Sequence, residues 1–172
     1  SCRYLNMQTA KQIIEHFNMK PLPFEGGYYI ETYRASESIA KAGLAERYNG
    51  PRNHSTCILY LLTSEMKSKM HRVKSDEIFH FYTGSAVTMF LLGEAKKSKI
   101  ITLGNDLSKQ QMPQVIVPKG VWQGCYIEKG DFALMGTTVS PGFEFDDFEI
   151  ANRDDLLKQY PGEQDLIIKL TD

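Results

Sequence analysis

The feature that most constrains the fold is a series of eight short segments in which apolar side chains recur at every second position. Each segment is rich in β-branched or aromatic residues and is bounded by Gly or Pro, as strands and turns are. The segments cover residues 26–34, 55–63, 77–84, 86–93, 98–104, 114–120, 121–128 and 131–139. Short strands at such regular spacing predict an all-β, mainly antiparallel sandwich or barrel.

Short helices are predicted on both sides of this strand series. Thr9 and Gln12 have the spacing of a capping box, which marks a helix start. The apolar stripe of that helix consists of Ile13, Ile14 and Phe17. Near the end, Asn152 is a suitable helix cap before a leucine pair and a Pro-Gly stop.

The chain is predicted to form one domain. It has 172 residues, and a single core of this size already buries roughly 70% of the surface of the unfolded chain. We divide it into an N-terminal helix over residues 1–20, a β-barrel over residues 26–151, and a C-terminal helix and tail over residues 152–172. The polar segment 35–54 is predicted to be a long surface loop.

Charge and hydropathy exclude two classes of partner. The net charge is -1 with acids and bases mixed along the chain, so there is no one-signed basic stripe for nucleic acid. Apolar runs such as residues 57–62 are far shorter than the ~20 residues that span a bilayer.

Cys2, Cys57 and Cys125 lack CxxC spacing and indicate reduced thiols in a cytoplasmic protein. The chain opens with Ser1 rather than Met, so a removed targeting segment is left open.

Residues 71–84, HRVKSDEIFHFYTG, carry most of a metal-ligand pattern. His71 stands at the head, Glu77 follows six residues later, and Gly84 closes the stretch. Imidazole nitrogen and carboxylate oxygen are common ligands of divalent ions. Val73, however, occupies the position at which a second histidine would complete the pattern.

This stretch resembles the first motif of the cupin superfamily, a double-stranded β-helix or jelly-roll barrel. That motif reads His, any residue, His, three others, Glu, six others and Gly, so three of its four positions match in register. The second motif, Pro, any residue, Gly, two others and His, is matched by Pro118 and Gly120 with Gln123 in the histidine position. The glycine that opens each motif is replaced by Glu65 and Met112.

Longer phrases resemble one branch of that superfamily. FEGGYYIETYR, KSDEIFHFYTG, VIVPKGVWQG and TVSPGFEFDDFEIA look like a cupin branch of unassigned function, similar in fold to the dTDP-sugar epimerases. The likeness extends from the first helix to Ala151. It implies a jelly roll with short flanking helices and a homodimer, and it says little about chemistry.

The resemblance also raises the question of a metal. In the family's metal sites three histidines and one glutamate converge on a divalent ion, whereas this chain offers only His71, Glu77 and the side-chain carbonyl of Gln123. Because such sites need at least three good protein ligands, we expect no cofactor, or at most a weakly bound divalent metal at these residues. His80 does not help, because its odd offset from Glu77 points it to the other strand face.

The interior of the predicted barrel contains a carboxylate. Strand parity places Glu77, Phe79 and Phe81 on one face, and the family register makes that face the inner one. A buried unpaired carboxylate costs several kcal/mol, so Glu77 needs a hydrogen-bonding partner or retained water, and His71 is the candidate by register. Such a pair suits general-base catalysis, with an ordinary satisfied polar contact as the alternative.

Further residues complete the expected ligand site. Trp122 could stack on a planar ligand, Gln123 could hydrogen-bond it, and Arg34 could hold a phosphate or carboxylate with both arms of its guanidinium. Phe79 adds an aromatic surface to the inner face. The structural alternatives are a core tryptophan and a solvated arginine.

Two neighbouring segments leave questions open. Tyr29, Glu31 and Tyr33 share one strand face, and the sequence does not say whether that face looks inward. Residues 141–151, PGFEFDDFEIA, alternate aromatics with acids and predict a capping segment or a subunit seam. Within it, Asp146 and Asp147 are predicted to be solvated rather than catalytic.

Two hypotheses on function follow from these residues. The first is a binding module for a small polar ligand, a nucleotide or nucleotide-sugar, held by aromatic stacking and by His71, Glu77, Gln123 and Arg34. The second is a metal-free epimerase or isomerase in which His71 removes a proton next to a carbonyl and Tyr82 or Tyr126 returns one. A weak-metal enzyme and a purely structural domain are lesser alternatives.

A homodimer is the expected assembly. The segment GGYYIETYR is long and aromatic, and such a strand at an open sheet edge invites pairing with another chain. A second copy that closes this edge agrees with the family resemblance.

Overall fold

The computed structural model describes residues 9–172 and shows a chain dominated by β-strands. In chain order the strands are β1 (Lys20–Pro21), β2 (Tyr28–Arg34), β3 (Ser38–Ile39), β4 (Arg52–Asn53), β5 (Thr56–Thr63), β6 (Lys67–Val73), β7 (Asp76–Gly84), β8 (Val87–Leu92), β9 (Ser98–Leu103), β10 (Gln114–Val117), β11 (Trp122–Tyr126), β12 (Phe132–Ser140) and β13 (Phe148–Ile150). The α-helices are α1 (Ala10–Phe17), α2 (Arg153–Gln159) and α3 (Gln164–Lys169). Cys2 lies outside the described residues.

Two antiparallel sheets face each other as an open sandwich. One sheet has six strands in the order β1-β2-β5-β12-β7-β10, and the other has five in the order β13-β6-β11-β8-β9. Over residues 9–172 no ladder joins the two sheets into a closed barrel. The predicted all-β antiparallel class with short flanking helices is confirmed, in its sandwich form rather than as a closed barrel.

The main core fills the space between the sheets. Leu62, Val87, Leu103 and Met135 come from both sheets and are fully buried there. This arrangement follows from the two-residue repeat, which directs alternate side chains of each strand to the same face. Each of the eight predicted segments overlaps one of these strands.

Strand β6 was not predicted, because a bulge interrupts its alternation. Gln123 of β11 pairs with His71, whereas Cys125, two residues on, pairs with Ser68, three residues back. The extra residue in β6 lets Ser68 and His71 both face the interior, as β-bulges beside functional sites commonly do. Met70 is turned to the outer face instead, where its sulfur packs so tightly on Gly124 that a Cβ there would lie 2.8 Å away.

The helices cover the outer faces of the sandwich. Helix α1 begins with the predicted capping box between Thr9 and Gln12, but of its stripe Ile13 is buried while Phe17 is 39% exposed. At the other end the structure has two helices, α2 and α3, where one was predicted, and they pack on the five-stranded sheet. In the described part of the chain, no helix has the length and hydropathy needed to cross a membrane.

The segment 35–54, predicted as a surface loop, carries a buried ion pair. Its Arg52 donates from Nε and Nη2 to the two carboxylate oxygens of Asp147, both at 2.7 Å. The two side chains are 4% and 3% exposed, so the prediction that Asp147 is solvated is wrong. Its neighbour Asp146 is exposed, as expected. The pair fixes the segment that precedes β13 against the rest of the domain.

The Arg52–Asp147 pair gives a direct prediction on stability. Asp147→Ala leaves a guanidinium buried without its charge partner, so we expect the free energy of unfolding to fall by about 3–5 kcal/mol. Asp146→Ala is the matched control and should change it by less than about 0.5 kcal/mol. Urea denaturation measures both, and equal losses in the two variants would contradict the structural role given to Asp147.

Candidate functional site

A cavity of about 300 Å³ lies between the six-stranded sheet, β6 and the segment 143–148. Its polar lining comes from glutamates, threonines, one arginine and one histidine. The aromatic lining consists of Tyr29, Phe143, Phe145 and Phe148. Three of these rings belong to the PGFEFDDFEIA segment, which was predicted to cap the fold or to form a subunit seam, and here they close one side of the cavity.

His71 lines this cavity with its ring orientation fixed. Its Nδ1 lies 2.7 Å from the carbonyl oxygen of Lys69, and a carbonyl can only accept a hydrogen bond. The proton of the neutral ring is therefore on Nδ1, which leaves the lone pair on Nε2. Within residues 9–172 Nε2 has no hydrogen-bond partner. The ring is also held by stacking on Phe148, with 5.2 Å between centroids.

Glu25 is the carboxylate beside His71. Its Oε2 lies 3.5 Å from Nδ1 of His71 and accepts a 2.6 Å hydrogen bond from Ser68 Oγ. Burial raises the pKa of the Glu25 carboxyl, and the smaller effects of His71 and of the Ser68 hydrogen bond oppose that rise. Ser68, Glu25 and His71 thus form a chain of contacts that ends at the cavity.

The turn that carries Glu25 depends on two glycines. Gly26 and Gly27 have positive φ values of 107° and 83°, which side chains other than glycine rarely adopt. A Cβ at Gly26 would lie 2.4 Å from the carbonyl oxygen of Lys67, so only glycine lets the turn approach β6. Glu25 was not predicted from the sequence as a site residue, although the two consecutive glycines after it were a signal of close backbone approach.

Glu77 has a different partner from the one predicted. Its Oε2 accepts a 2.7 Å hydrogen bond from Nε2 of Gln123, and no hydrogen bond or ion pair of the described structure joins Glu77 to His71. Gln123 is 1% exposed and does not line the cavity. The glutamine in the second-motif histidine position therefore holds Glu77 in place instead of facing a ligand.

Arg34 lies at the cavity mouth with every N–H group engaged. Its Nε and Nη2 donate to Glu31, its Nη1 donates to Asn53 and Glu144, and Nη2 also donates to the carbonyl of Phe143. These bonds connect β2 to the segment that covers the cavity. The predicted two-armed clamp on an anionic ligand would require breaking some of them.

Several predicted ligand contacts lie away from the cavity. Trp122 packs against the C-terminal helices beneath the guanidinium of Arg72, 4.3 Å from its ring centre. Phe79 belongs to the main core. Tyr82 packs on Gly136 and is 47% exposed, and Tyr126 lies under the ammonium group of Lys169. None of these side chains lines the cavity.

Strand β2 turns two of its three questioned residues inward. Tyr29 and Glu31 line the cavity, whereas Tyr33 is 56% exposed. A register shift in the pairing with β5 between Glu31 and Tyr33 breaks the alternation and turns Tyr33 out. The strand parity used in the sequence analysis therefore fails at the mouth.

The side chains do not fit the metal site of the superfamily that the sequence resembles. In the described ranges no group of three or more His, Cys, Asp or Glu side chains is arranged to hold a metal ion. Gln123 turns its amide nitrogen to Glu77, and Val73 lines the cavity where a second imidazole would be needed. His80 lies on the outer face, 3.0 Å from Thr138 Oγ1.

One family model and one yeast protein match this chain over most of its length. The family model described as Cupin superfamily (DUF985) matches residues 11–151. The uncharacterized protein YML079W of Saccharomyces cerevisiae is 29% identical over 150 residues, which are 80% of this chain and 73% of that protein.

Two solved structures show the same architecture. Protein SO0799 from Shewanella oneidensis has a TM-score of 0.86 and 31% identity, with 96% of this chain and 99% of that chain covered. A hypothetical protein from Leishmania major has a TM-score of 0.84 and 26% identity, with 95% and 99% covered. These matches confirm the jelly-roll fold.

The buried Glu25 carboxyl predicts a specific pH dependence of stability. Because its folded pKa is raised, the fold favours the protonated form, and that advantage is lost as pH rises above the ordinary value of 4.5. We expect the unfolding free energy of the wild type to fall relative to Glu25→Gln by about 1.4 kcal/mol for each pH unit crossed, until the folded pKa is passed.

Urea unfolding at a series of pH values measures this difference. Glu46→Gln, at an exposed position, is the matched control and should parallel the wild type. The raised pKa of Glu25 would be contradicted if the difference in unfolding free energy between wild type and Glu25→Gln were constant with pH. It would also be contradicted if the wild type gained stability relative to Glu25→Gln as the pH rises.

Proposed function

The chain belongs to the cupin superfamily, in the family described as Cupin superfamily (DUF985), and from that premise we propose a small-molecule-binding domain that transfers protons without a metal. The observation that carries the proposal is His71, whose Nδ1 proton is held by the Lys69 carbonyl while Nε2 remains as a base at the cavity. A positioned imidazole of this kind is the commonest general base in enzymes.

The reaction supported best is proton exchange next to a carbonyl, as in an epimerase or isomerase. Nε2 of His71 takes the proton, the electrons of the C–H bond form an enolate, and the ring becomes an imidazolium ion. Glu25, 3.5 Å from Nδ1, stabilises that positive charge. Return of a proton to the same carbon restores the carbonyl compound, with inversion if the proton comes from the other side.

Tyr29 is the candidate for the returning acid. The sequence hypothesis named Tyr82 or Tyr126, but both lie outside the cavity, whereas Tyr29 lines it. A phenol can give up and regain a proton, as this role requires. The proposal therefore keeps the histidine and tyrosine of the epimerase hypothesis and changes the identity of the tyrosine.

The cavity volume favours a small ligand. At about 300 Å³ it is at the lower end of the range of ligand pockets, roughly 300–1,000 Å³. A nucleotide or nucleotide-sugar, the ligand expected from the sequence, would insert its sugar or base and leave its phosphates at the mouth. At the mouth, the N–H donors of Arg34 are already bonded to Glu31 and Glu144. The structure therefore supports a nucleotide ligand less well than a smaller ligand.

The test is solvent deuterium exchange. Keto-sugar nucleotides, small hydroxyketones and small aminoketones are incubated with the protein in heavy water, and loss of the C–H signal is followed by NMR. We expect exchange with the wild type and a loss of about a hundredfold or more in His71→Asn, the usual contribution of a general base.

His80→Asn is the matched control, because His80 lies on the outer face of the sheet. It should exchange at the wild-type rate, and thermal melting would verify that both variants are folded. Equal exchange in His71→Asn and the wild type, or no exchange with any of these compounds, would remove the catalytic proposal.

We also propose a homodimer formed along β2. Strand β1 pairs only with Tyr28 and Tyr29, so residues 30–34 lie at a sheet edge, and Tyr33 is exposed there. Unpaired edges with aromatic side chains favour association.

Sedimentation velocity tests this assembly. We expect a dimer for the wild type and a monomer for Tyr33→Lys, because a charged side chain at an edge opposes pairing. Ile100→Lys is the control on β9, where Ile100 is equally exposed, and it should remain dimeric. A monomeric wild type would contradict the proposal.

A further inference from the structure

Acidic side chains outnumber basic ones around the cavity. The acidic side chains that line it are Glu25, Glu31, Glu77 and Glu144. The basic side chains of the lining are Arg34 and His71. The hydrogen bond to Lys69 is made by the neutral ring of His71 as well as by the charged one, so Arg34 is the permanent cation of this lining.

The charge of Arg34 is already matched at the mouth. Its Nη2 forms an ion pair with Glu31 at 2.9 Å, and its Nη1 forms one with Glu144 at 2.7 Å. Two carboxylates therefore share one guanidinium, and the mouth as a whole carries negative charge. An incoming anion would meet this excess before it reached the interior.

Deeper in the cavity, Glu77 presents a carboxylate that no cation neutralises. Its Oε2 accepts from the neutral amide of Gln123, and the ion pairs of residues 9–172 do not include it. Buried charges are normally paired, so this carboxylate is a place where a positively charged ligand group gains an interaction that the protein itself does not supply.

Aromatic rings surround this carboxylate-rich space. Phe143 and Phe145 meet edge to face with 5.2 Å between centroids, and Tyr29 and Phe148 line other parts of the wall. The face of an aromatic ring carries partial negative charge and attracts ammonium groups. Aromatic faces combined with carboxylates are the chemistry by which proteins bind organic cations.

We propose that the cavity selects a small organic cation, an amine or a quaternary ammonium compound. The inference rests on the proposed function, because it names the ligand class of the same cavity. An anion of equal size lacks a free cationic partner there, and a neutral ligand can gain a hydrogen bond from Glu77 but no charge attraction. The positive group lies against Glu77 and the aromatic wall, with the rest of the ligand toward His71.

The experiment compares ligands of equal shape and different charge. The first series consists of choline, its neutral isostere 3,3-dimethylbutanol, and the anion 3,3-dimethylbutanoate. In the second and third compounds a tert-butyl group replaces trimethylammonium. The second is benzylamine, benzyl alcohol and benzoate. Dissociation constants come from calorimetry, and shifts of the His71 ring protons in NMR report binding in the cavity. In at least one series we expect the cation to bind about tenfold more tightly than its neutral counterpart and the anion more weakly still.

Glu77→Gln identifies the group responsible. The amide keeps the shape and a hydrogen-bonding oxygen for Gln123, so the domain should fold, as thermal melting would verify. We expect it to weaken cation binding about tenfold and to leave the neutral ligand unchanged. Glu46→Gln, an exposed glutamate outside the cavity lining, should leave both affinities at the wild-type value.

Three results would overturn the inference: a neutral or anionic ligand that binds as tightly as its cation in both series, cation affinity unchanged in Glu77→Gln, or no cation bound at all. The exchange of a ligand C–H proton with solvent deuterium, and its dependence on His71, tests the proposed function separately. An anion that binds and exchanges its proton would leave the proposed function standing while the cation inference fails.

Discussion

The hydrogen bond from His71 to the carbonyl oxygen of Lys69 is the interaction on which the site depends. At 2.7 Å it can form only with the proton on Nδ1, and it therefore decides which nitrogen of the neutral ring carries the lone pair. In the metal sites of the cupin superfamily the corresponding imidazole binds a metal ion. Here valine and glutamine replace two further ligands, and the remaining histidine is oriented by a backbone carbonyl.

Three irregular features of the chain make that orientation possible. The bulge in β6 turns Ser68 and His71 to the same side, and the two glycines after Glu25 let its turn approach β6. The buried Arg52–Asp147 pair fixes the aromatic segment that covers the cavity. The bulge costs strand pairing, the glycines cost chain entropy, and the buried ion pair costs desolvation. The site thus lies where the sandwich is least regular.

Sequence alone was sufficient for the regular part of the fold and insufficient for these irregular parts. Eight strands could be predicted, because apolar alternation and Gly or Pro boundaries are local signals. Strand β6 could not, because its bulge breaks the alternation. Glu25 lies in a turn and meets His71 only through tertiary contact. Asp147 resembles its neighbour Asp146 in sequence, and its burial depends on Arg52, 95 residues earlier in the chain.

One small cavity thus combines a histidine of fixed orientation, a carboxylate held by an amide and an aromatic wall. The position of a single proton on His71 decides whether that histidine can act as a base. Nitrogen-15 NMR of the neutral form of the His71 ring measures this directly, because protonated and unprotonated ring nitrogens differ strongly in chemical shift. We expect a protonated Nδ1 and an unprotonated Nε2. A ring with its proton on Nε2 and a bare Nδ1 would contradict this assignment.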